Sequence, residues 1–431
     1  MTPVAHRLAA LLAGHFPGGL PVRLRAWGGS EAGPPDAPVV VLRARRALRR
    51  LLWQPGELGL VQAYIAGELD VEGDPADALS RVWRTVRDSG PAPAAPGPRQ
   101  LAALAVTALR LGALGPRPPA PGAPQARLRG ALHSTGRDRA AISHHYDLSN
   151  DWYALLLDET MAYSCGYWTR PDDPSYGPAD AQRDKLELIC RKLGLFPGAR
   201  LLDIGCGWGS LSLYAAREFK AHVTAVTLSR EQHDHVAAQV AREGLGELVD
   251  VRLRHYRDIT EAPHDAVCAV EMGEHVGDAQ YPAFAARLHS LLRPGGRLLV
   301  QQMSRGAGAR GGGAFIESYI APDMHMRPLG ETVGLLEAAG LEVRSVESLR
   351  EHYARTIAAW HHTLETRWAE FTALAGEPTA RVWRLYLAGS GLAFRERRMG
   401  VDQILAVRPT PEGEAAMPPT PYDWYVPGGR G

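Results

Sequence analysis

The sequence contains few cysteines and few lysines, and the cysteines set the first limit on its class. Its four cysteines form no C-x-x-C pair, and none stands with histidines at the spacing of a zinc site. We therefore expect a reduced, cytoplasmic protein without a bound metal. Only three of the 48 basic residues are lysines, and we attribute this arginine richness to coding bias.

The sequence also lacks a strong net charge and a long hydrophobic run. Its net charge is +1, which provides no overall field to attract nucleic acid, so no nucleic-acid partner is expected. The apolar segment 101–115 is 15 residues long and contains Arg110, whereas a membrane-spanning helix needs about 20 apolar residues. Any contact with a membrane is therefore expected to be peripheral. The N-terminal residues MTPVAHRLAALLAGHF have no convincing cleavage site and predict a helix rather than a signal peptide.

Two stretches rich in proline and glycine, 90–100 and 115–125, divide the chain. Neither can continue a helix or a central strand, and 431 residues are enough for two domains. We therefore predict an N-terminal domain over 1–90, a linker with a short apolar helix over 91–140, and a C-terminal domain over 141–431.

The predicted N-terminal domain combines a strand-like run, APVVVLRA (37–44), with a helical run, RRALRRLLWQ (45–54). In the helical run arginines alternate with leucines and Trp53. A basic amphipathic helix of this kind could lie on anionic lipid. The alternative is a solvated face over a small core, and the sequence leaves both open.

Strand-like and helical runs alternate from residue 195 onward. The strand-like runs are ARLLDIG, AHVTAVT, LVDVRLR, HDAVCAVE, GRLLVQQM and LEVRSVESL. Helical runs such as SLSLYAAREF lie between them, which is typical of βαβ units. The pattern predicts an α/β fold with a doubly wound, mostly parallel sheet. In LLRPGG (291–296) the proline and glycines predict the end of a helix before the next strand.

A glycine-rich turn follows the first of these strands, in LLDIGCGWGS (201–210). The dinucleotide fingerprint has the spacing G-x-G-x-x-G, and here Ser210 occupies the place of its third glycine. A phosphate-binding P-loop is excluded because no G-K-[ST] follows. Asp203 followed by G-x-G-x-G resembles S-adenosylmethionine-dependent methyltransferases, in which the glycines let the backbone approach the cofactor.

Five motifs follow one another along the chain: HHYDLSNDWYALLLDETMAYSCGYW (144–168), LLDIGCGWG (201–209), VTLSREQ (226–232), EMGEHVG (271–277) and EHYARTIAAW (351–360). Together they resemble one family, the cyclopropane fatty acid synthases and the related mycolic acid methyltransferases. In addition, GELGLVQAYIAGELDVEGD (56–74) is similar to the N-terminal domain of the phospholipid-modifying bacterial members. The resemblance implies a seven-stranded, Rossmann-like methyltransferase sheet with a smaller α+β N-terminal domain. It also implies a homodimer that associates peripherally with the inner face of the cell membrane.

The resemblance implies transfer of a methyl(ene) carbon from S-adenosylmethionine to the cis double bond of unsaturated acyl chains in membrane phospholipids. The resulting carbocation loses a proton from the new methyl group, which closes a cyclopropane ring. In the alternative outcome, proton loss elsewhere yields a 10-methylene chain, which a separate reductase could convert into a methyl branch. A rival hypothesis is a methyltransferase for a polar small molecule, which predicts a polar acceptor site.

The resemblance also implies which residues form the site. Those expected to contact S-adenosylmethionine are Tyr163, Ser164, Asp203, Gly205, Gly207, Gly209, Thr227, Gln232 and Tyr256. The base implied by the family is a bound bicarbonate ion, held here by Cys165, Glu274 and Tyr353, with His275 nearby. From the residues alone, Cys165 could instead be a small buried hydrophobe, His275 a structural histidine and Tyr256 a core aromatic. Aromatic residues that could line an acyl-chain pocket, or belong to the core, are Tyr163, Tyr167, Trp168, Tyr353 and Trp360.

Two positions depart from the family pattern. Gln301, in LLVQQM, stands where the family has a histidine, and a glutamine can donate a hydrogen bond to an anion but cannot titrate. Gly273, in EMGEHVG, stands where the family usually has a large aromatic residue. We expect this glycine to enlarge or reshape the space near the reacting carbon. Both positions bear on where the proton is lost, so the sequence leaves the product open.

Overall fold

A computed structural model of the chain describes residues 3–13, 16, 19–88, 106–126, 128–134, 136–138, 140–141, 149–260, 263–306 and 311–424. The whole of the first proline- and glycine-rich stretch, 90–100, and residues 144–148 of the 144–168 motif lie outside these ranges. The chain forms two compact units. Unit 1 comprises residues 1–125, 314–319 and 364–392, and unit 2 comprises residues 126–313, 320–363 and 393–431.

The helices and strands are numbered here in chain order. The helices are α1 (Val4–Ala13), α2 (Arg45–Trp53), α3 (Glu57–Ile65), α4 (Pro75–Asp88), α5 (Asn150–Leu156), α6 (Pro178–Leu193), α7 (Ser210–Phe219), α8 (Arg230–Glu243), α9 (Tyr281–Leu291), α10 (Ala314–Tyr319), α11 (Leu329–Ala338), α12 (Arg350–Thr366), α13 (Trp368–Ala375), α14 (Glu377–Arg395) and α15 (Pro421–Trp424). The strands are β1 (Arg23–Ala26), β2 (Glu31–Ala32), β3 (Val39–Leu42), β4 (Leu69–Val71), β5 (Arg200–Ile204), β6 (His222–Thr227), β7 (Val249–Leu253), β8 (His264–Val270), β9 (Leu292–Ser304), β10 (Glu342–Ser348) and β11 (Gly400–Val407). Short 3-10 turns occupy Tyr256–Asp258 and Gly273–His275.

Unit 1 contains a four-stranded sheet in the order β2-β1-β3-β4. Strand β1 is parallel to β3 and antiparallel to β2, and β3 is antiparallel to β4. Apolar residues of α1, α2, α3 and the sheet pack into one core, which includes Leu8, Leu24, Leu42, Ala47 and Ala63. This mixture of helices and strands confirms the predicted smaller α+β unit at the N-terminus.

Two arginines of the RRALRRLLWQ helix α2, Arg49 and Arg50, make contacts inside unit 1. Arg50 is buried, because it follows Ala47 by one helical turn on the face that packs inward. Its guanidinium donates to both carboxylate oxygens of Glu68, at 3.2 and 2.9 Å, and to the carbonyl of Pro119 at 2.9 Å. Arg49 donates to the carbonyl of Ala113 at 3.3 Å. These arginines therefore serve contacts inside unit 1, whereas Arg45 and Arg46 stay exposed.

Unit 2 contains a seven-stranded sheet in the order β10-β11-β9-β8-β5-β6-β7. Strands β9, β8, β5, β6 and β7 are mutually parallel, while β11 is antiparallel to both of its neighbours, β9 and β10. The predicted α/β class and mostly parallel seven-stranded sheet are confirmed. Strand β11 was not among the strand-like runs identified in the sequence.

The core of unit 2 lies on both faces of this sheet. Because side chains alternate along a strand, Leu201 faces one apolar cluster with α6, α7 and α8, and Leu202 faces a second with α9 and α11. Helix α8 begins where the Ser229 hydroxyl accepts from the Gln232 amide at 3.2 Å. Helix α6 ends at Gly194, whose φ of 64° is the left-handed conformation that glycine adopts readily.

The predicted end of a helix at LLRPGG is confirmed, because the helix ends at Leu291 and strand β9 begins at Leu292. Residues 293–296 lie in β9, where the β8–β9 register shifts between His264 and Ala266. The predicted domain boundaries at 90 and 140 differ from the observed division, in which unit 1 runs to 125 and includes 314–319 and 364–392. Composition marks turns and linkers, but it carries no information on which distant segments pack together.

Candidate active site

A cleft opens at the carboxyl ends of β5, β6 and β8, where ligands bind in open α/β sheets. The glycine-rich turn after β5 forms its floor. Gly205, Gly207 and Gly209 all have positive φ, of 80°, 55° and 84°, a conformation that costs other residues about 1–2 kcal/mol. The amides of Gly205 and Cys206 donate to the carbonyl of Val226 at 2.9 and 3.0 Å, which ties the turn to β6.

The cleft is lined by all the residues predicted to contact the cofactor, with the exception of Gly209. A Cβ at Gly209 would lie 2.8 Å from Cγ1 of Val236, so this glycine allows α7 to pack closely on α8. It has a packing role, which the resemblance did not imply. His275 also lines the cleft.

The polar residues of the cleft are held by hydrogen bonds to one another. Asp203 is buried, and its carboxylate accepts from the Ser212 hydroxyl at 2.7 Å. Burial raises the pKa of Asp203, and the hydrogen bonds from Ser212 and Cys268 oppose this rise. Thr227 donates to the Gln232 side chain at 2.7 Å. These contacts orient the carboxylate and amide before any ligand enters.

Tyr256 lies in the 3-10 turn after β7, against Phe284 with ring centroids 5.1 Å apart. The guanidinium carbon of Arg257 lies 5.4 Å from the same ring. Tyr256 therefore packs against the core and lines the cleft at once, so the two interpretations of this residue do not exclude each other.

A carboxylate that the motif analysis did not single out, Glu271, lies at the wall of the cleft directly after β8. Its Oε1 accepts from the Cys165 amide and from the Gln301 side-chain amide, each at 2.8 Å. Its Oε2 accepts from the Tyr353 hydroxyl at 2.6 Å. Three of the residues predicted to hold or flank a bicarbonate ion therefore converge on a carboxylate of the chain itself.

Glu271 has a φ of 51°, which is rare for a residue other than glycine. Its backbone amide donates to the Gln301 carbonyl at 2.6 Å, so the end of β8 stays paired with β9 despite this conformation. Burial raises the pKa of the Glu271 carboxyl, and the hydrogen bonds from Tyr353, Cys165 and Gln301 oppose the rise.

A chain of buried hydrogen bonds fixes the orientation of Gln301. The side-chain amide of Gln403, on β11, donates to Oε1 of Gln301 at 2.9 Å. Lys192 in turn donates to Oε1 of Gln403 at 2.7 Å and to Glu347 at 2.5 Å. Because the Gln301 oxygen is already occupied, its NH₂ group must point toward Glu271.

Glu274, which was predicted to share an anion site with Cys165 and Tyr353, lies in the 3-10 turn Gly273–His275. It is fully buried, and its Oε1 accepts from the amide of Met303 at 2.7 Å. No group among the described residues hydrogen-bonds to its Oε2. Burial, together with the nearby charge of Glu271, raises the pKa of Glu274 to about 8, so this side chain is largely a neutral acid at pH 7.

Two further groups beside the cleft carry unusual charge states. Burial lowers the pKa of His275 to about 4, so its imidazole is neutral at physiological pH. Lys185, on α6, lines the cleft and donates to the Ser164 hydroxyl at 2.8 Å. Burial lowers the pKa of this lysine, while Glu271 and Asp158 raise it. Lys185 is the cation that balances the carboxylates at this end of the sheet.

Cys165 has the surroundings of an inert thiol. It is fully buried, and its Sγ donates to the Gly166 carbonyl at 3.2 Å. Burial raises its pKa well above the usual value, and the charge of Glu271 adds to this rise. A thiolate nucleophile is not favoured here. Instead, the backbone amide of Cys165 provides the contact to Glu271.

The space beside Gly273 is filled by a neighbouring side chain. A Cβ placed on it would lie 2.0 Å from Oε1 of Gln302, so the space is already occupied by that side chain. Gln302 is buried and accepts from the Tyr281 hydroxyl at 2.7 Å. Because glutamine is unbranched, its amide reaches across the position where an aromatic ring at 273 would project.

The aromatic residues predicted near an acyl chain fall into two groups. Tyr163 lines the cleft and contacts Tyr153 and Trp360, with ring centroids 5.4 and 5.2 Å apart, and Trp360 in turn contacts Tyr353. Tyr167 stacks on His352, and the Trp168 indole donates to Thr356 at 3.0 Å. The first group borders the cleft, whereas the second packs against α12.

Comparison with known proteins identifies the family. A family model described as mycolic acid cyclopropane synthetase matches residues 133–404. The chain belongs to this family. The resemblance of its motifs is thereby confirmed, and the chain is an S-adenosylmethionine-dependent methyltransferase of the cyclopropane synthase type.

Individual members of the mycolic acid cyclopropane synthetase family extend the match to nearly the whole chain. A probable fatty acid methyltransferase of Mycobacterium tuberculosis is 37% identical over 420 residues, which cover 94% of this chain and 95% of the relative. A tuberculostearic acid methyltransferase of the same organism is 33% identical over 423 residues, covering 95% and 92%. A crystal structure of a mycolic acid cyclopropane synthase complexed with SAH and CTAB has a TM-score of 0.58 and 31% identity, covering 62% of this chain and 97% of that one.

Three residues of the site escaped the sequence analysis of this family member: Glu271, Lys185 and Gln403. Glu271 stands inside the quoted EMGEHVG motif, where attention went to Glu274. Lys185 is one of only three lysines in an arginine-rich chain, and this rarity could have marked it as a candidate site residue. The sequence does not indicate a role for Gln403, because its hydrogen bond to Gln301 depends on the pairing of β11 with β9.

Within the described ranges, no group of three or more histidine, cysteine, aspartate or glutamate side chains is arranged to hold a metal ion. Among the helices of the described segments, none is both long and apolar enough to cross a bilayer.

Proposed function

We propose that this chain transfers a methyl(ene) carbon from S-adenosylmethionine to the cis double bond of unsaturated acyl chains in membrane phospholipids. The observation that carries this proposal is a single cleft in which a glycine turn meets a buried carboxylate beside aromatic rings. An alkene is a weak nucleophile and its methylation produces a cation, so the site must exclude water, stabilise positive charge and accept a proton. The polar acceptor site expected of a small-molecule methyltransferase is a poorer match to these walls.

The residues of the cleft suit the parts of S-adenosylmethionine. In this proposal the turn from Gly205 to Gly207 approaches the amino-acid end, and Thr227 and Gln232 serve the ribose. Tyr256 lies against the adenine. When bound, the cofactor supplies an electrophilic methyl group on a sulfonium. Gly209, which does not line the cleft, serves the fold of the turn.

The walls beyond the glycine turn determine what happens to the acyl chain. The ring of Tyr163, backed by Trp360, presents a π face that favours a neighbouring cation. His275 stays neutral at physiological pH and therefore adds no repelling positive charge. These side chains support cation formation without taking part in bond changes.

The assignment to membrane phospholipids rests on unit 1. Segment 56–74 is similar to the N-terminal domain of phospholipid-modifying members of the family. Large apolar side chains are exposed on unit 1, among them Leu52, Trp53, Leu109 and Leu114. Exposed leucines with a tryptophan suit peripheral contact with a lipid surface.

A second candidate differs only in the product. The same methylation could end in a 10-methylene chain, a precursor of a 10-methyl branch after reduction. Similarity over 95% of this chain to a tuberculostearic acid methyltransferase favours this candidate.

The test is to express the full chain in a bacterial host without its own cyclopropane synthase and to analyse the fatty acids by mass spectrometry. We expect unsaturated chains to gain one CH₂ unit relative to cells with an empty vector. Ozonolysis then distinguishes the candidates, because it cleaves an exocyclic methylene and leaves a cyclopropane intact. Unmodified phospholipid chains, together with turnover of S-adenosylmethionine on a polar acceptor, would overturn the proposal.

A further inference from the structure

We propose that the Glu271 carboxylate is itself the proton acceptor of this reaction and that the chain binds no bicarbonate ion. This inference rests on the proposed function for the identity of the reacting carbon. The absence of bicarbonate binding can be tested without assuming that function.

The first argument is that the donors expected to bind a bicarbonate ion already bind another anion, the Glu271 carboxylate. The Cys165 amide, the Gln301 amide and the Tyr353 hydroxyl all donate to Glu271, at 2.8, 2.8 and 2.6 Å. A bicarbonate ion in the same place would have to displace this side chain. It would also lie against a second negative charge, which is strongly unfavourable away from water. The residues present therefore do not fit a separate ion.

The second argument is the backbone at Glu271. A φ of 51° costs a residue with a side chain roughly 1–3 kcal/mol, and such conformations persist mainly where function requires them. Here the conformation carries the carboxylate from the end of β8 to the meeting point of the three donors. Glycine would adopt this φ without strain, so the presence of glutamate indicates that the side chain has a use.

The third argument is that one oxygen remains able to accept a proton. Oε1 already accepts two hydrogen bonds, whereas Tyr353 is the one donor to Oε2 among the described residues. A carboxylate oxygen has about two lone-pair positions. Oε2 is therefore the atom that we assign to proton transfer, and Glu271 lines the cleft in which the acyl chain would react.

The charged and titratable groups around Glu271 allow it to act as a base. Lys185 on α6 favours the carboxylate form of Glu271, and the charge of Glu271 opposes ionisation of the neighbouring Glu274. Burial keeps the pKa of the Cys165 thiol well above its usual value, so this thiol carries no charge at neutral pH, and the Tyr353 hydroxyl donates to Glu271. Because Glu274 is largely neutral, Glu271 is the acid of the pair that holds the negative charge.

The proposed step balances as follows. Methyl transfer forms a carbon–carbon bond to the alkene, leaves the sulfonium bond's electron pair on sulfur, and places one positive charge on the acyl chain. To close the cyclopropane ring, a C–H bond of the new methyl group breaks and its electrons bond that carbon to the cationic carbon. To form the methylene double bond, a hydride first moves from the methylated carbon to the neighbouring cationic carbon, and the electrons of a methyl C–H bond then form the double bond. The proton moves to Oε2 of Glu271 and must pass to solvent before the next turnover.

The experiment compares wild type with Glu271→Gly and Glu271→Gln in buffer freed of carbon dioxide. Release of S-adenosylhomocysteine is measured with vesicles of an unsaturated phospholipid. We expect wild type to be unaffected by added bicarbonate. Both variants should lose about 10²–10⁴-fold in turnover, the usual contribution of a positioned base. Bicarbonate or formate should restore part of the activity of Glu271→Gly, where the carboxylate leaves a space, but not that of Glu271→Gln, which fills it.

Two further readouts separate this inference from the proposed function and from misfolding. Calorimetric titration should show S-adenosylmethionine binding to all three proteins within a few-fold. ¹³C-bicarbonate NMR should show binding to Glu271→Gly and none to wild type. Binding of bicarbonate to wild type, or full activity of Glu271→Gln, would overturn the inference. Absence of lipid turnover by wild type would overturn the proposed function instead, and the NMR measurement would still decide the anion site.

Discussion

At the scale of single residues, Glu271 and Glu274 differ in their surroundings although they lie only three positions apart in the sequence. Glu271 faces three donors and a lysine, whereas Glu274 has one donor, the Met303 amide, to its Oε1. The EMGEHVG motif shows that acids are present here, but it does not show which of them reaches the donors. That depends on the positive φ of Glu271, which directs its carboxylate to the donors while its backbone amide stays bonded to the Gln301 carbonyl.

The raised pKa of Glu274 predicts a measurable dependence of stability on pH. An acid with a pKa of about 8 in the folded state and about 4.5 in the unfolded state binds its proton more tightly when folded. Its contribution to stability is complete below pH 4.5 and is lost as the pH rises toward 8. Glu274→Gln removes this titration and can keep the acceptor for Met303. Between pH 5 and 8, we expect the free energy of unfolding of wild type to fall by about 3 kcal/mol relative to the variant.

The measurement is urea unfolding of both proteins at several pH values. Asp203 and Glu271 are common to both proteins, so the difference between the two curves reports the ionisation of Glu274 together with its charge coupling to Glu271. Parallel curves would show that Glu274 ionises normally in the folded protein.

At the scale of secondary-structure elements, the glycine turn after β5 was predicted well and strand β11 was missed. The turn is a local pattern, with glycines at fixed spacing after an apolar run. Strand β11 follows the long helix α14 and enters the sheet between β9 and β10, which precede it in the chain. Its sequence, GVDQILAV, contains buried polar residues such as Gln403 and therefore lacks the apolar run of a central strand.

The glycines of the turn should separate stability from cofactor binding. Gly209→Ala introduces a Cβ 2.8 Å from Val236 as well as unfavourable φ, whereas Gly207→Ala meets no atom within 4 Å. We expect Gly209→Ala to cost roughly 2–4 kcal/mol of stability and Gly207→Ala about 1 kcal/mol.

Affinity should follow the opposite order, because Gly207 lines the cleft and Gly209 does not. Urea unfolding gives the stability of each variant, and calorimetric titration gives its affinity for S-adenosylmethionine. Equal losses of stability in the two variants would show that α8 moves to accommodate the new methyl group.

At the scale of the whole molecule, the division into two units is the feature least accessible from sequence. Segments 314–319 and 364–392 belong to unit 1, although they lie within the range predicted as a single C-terminal domain. No motif marks these segments, because their assignment depends on long-range packing. The family resemblance identified the fold of unit 2 without showing where the chain leaves it.

The exposed apolar side chains of unit 1 should contribute to membrane binding. Trp53 and Leu52 are 54% and 50% exposed, and Phe196 of unit 2 is 50% exposed. Removing a large apolar group from a lipid contact costs about 1.5–3 kcal/mol, which corresponds to roughly tenfold or more in affinity. We therefore expect Leu52→Glu with Trp53→Glu to weaken co-sedimentation with phospholipid vesicles at least about tenfold.

Phe196→Glu is the matched control, because it adds a charge at a similarly exposed position outside unit 1. It should leave vesicle binding almost unchanged. An equal loss in Phe196→Glu would indicate that the added negative charge, rather than the lost apolar contact, weakens binding.

Strand β11 also determines when the protein can fold during synthesis. β9 and β10 are joined in the sheet only through β11, which leaves the ribosome after both of them. Until it emerges, β10 has no partner in the sheet and Gln301 lacks the hydrogen bond from Gln403 that orients its amide. A nascent chain can therefore complete the glycine turn early, but it cannot assemble the surroundings of Glu271 until translation has passed residue 407. Stalled or shortened chains would expose unpaired strand edges, which are prone to aggregation.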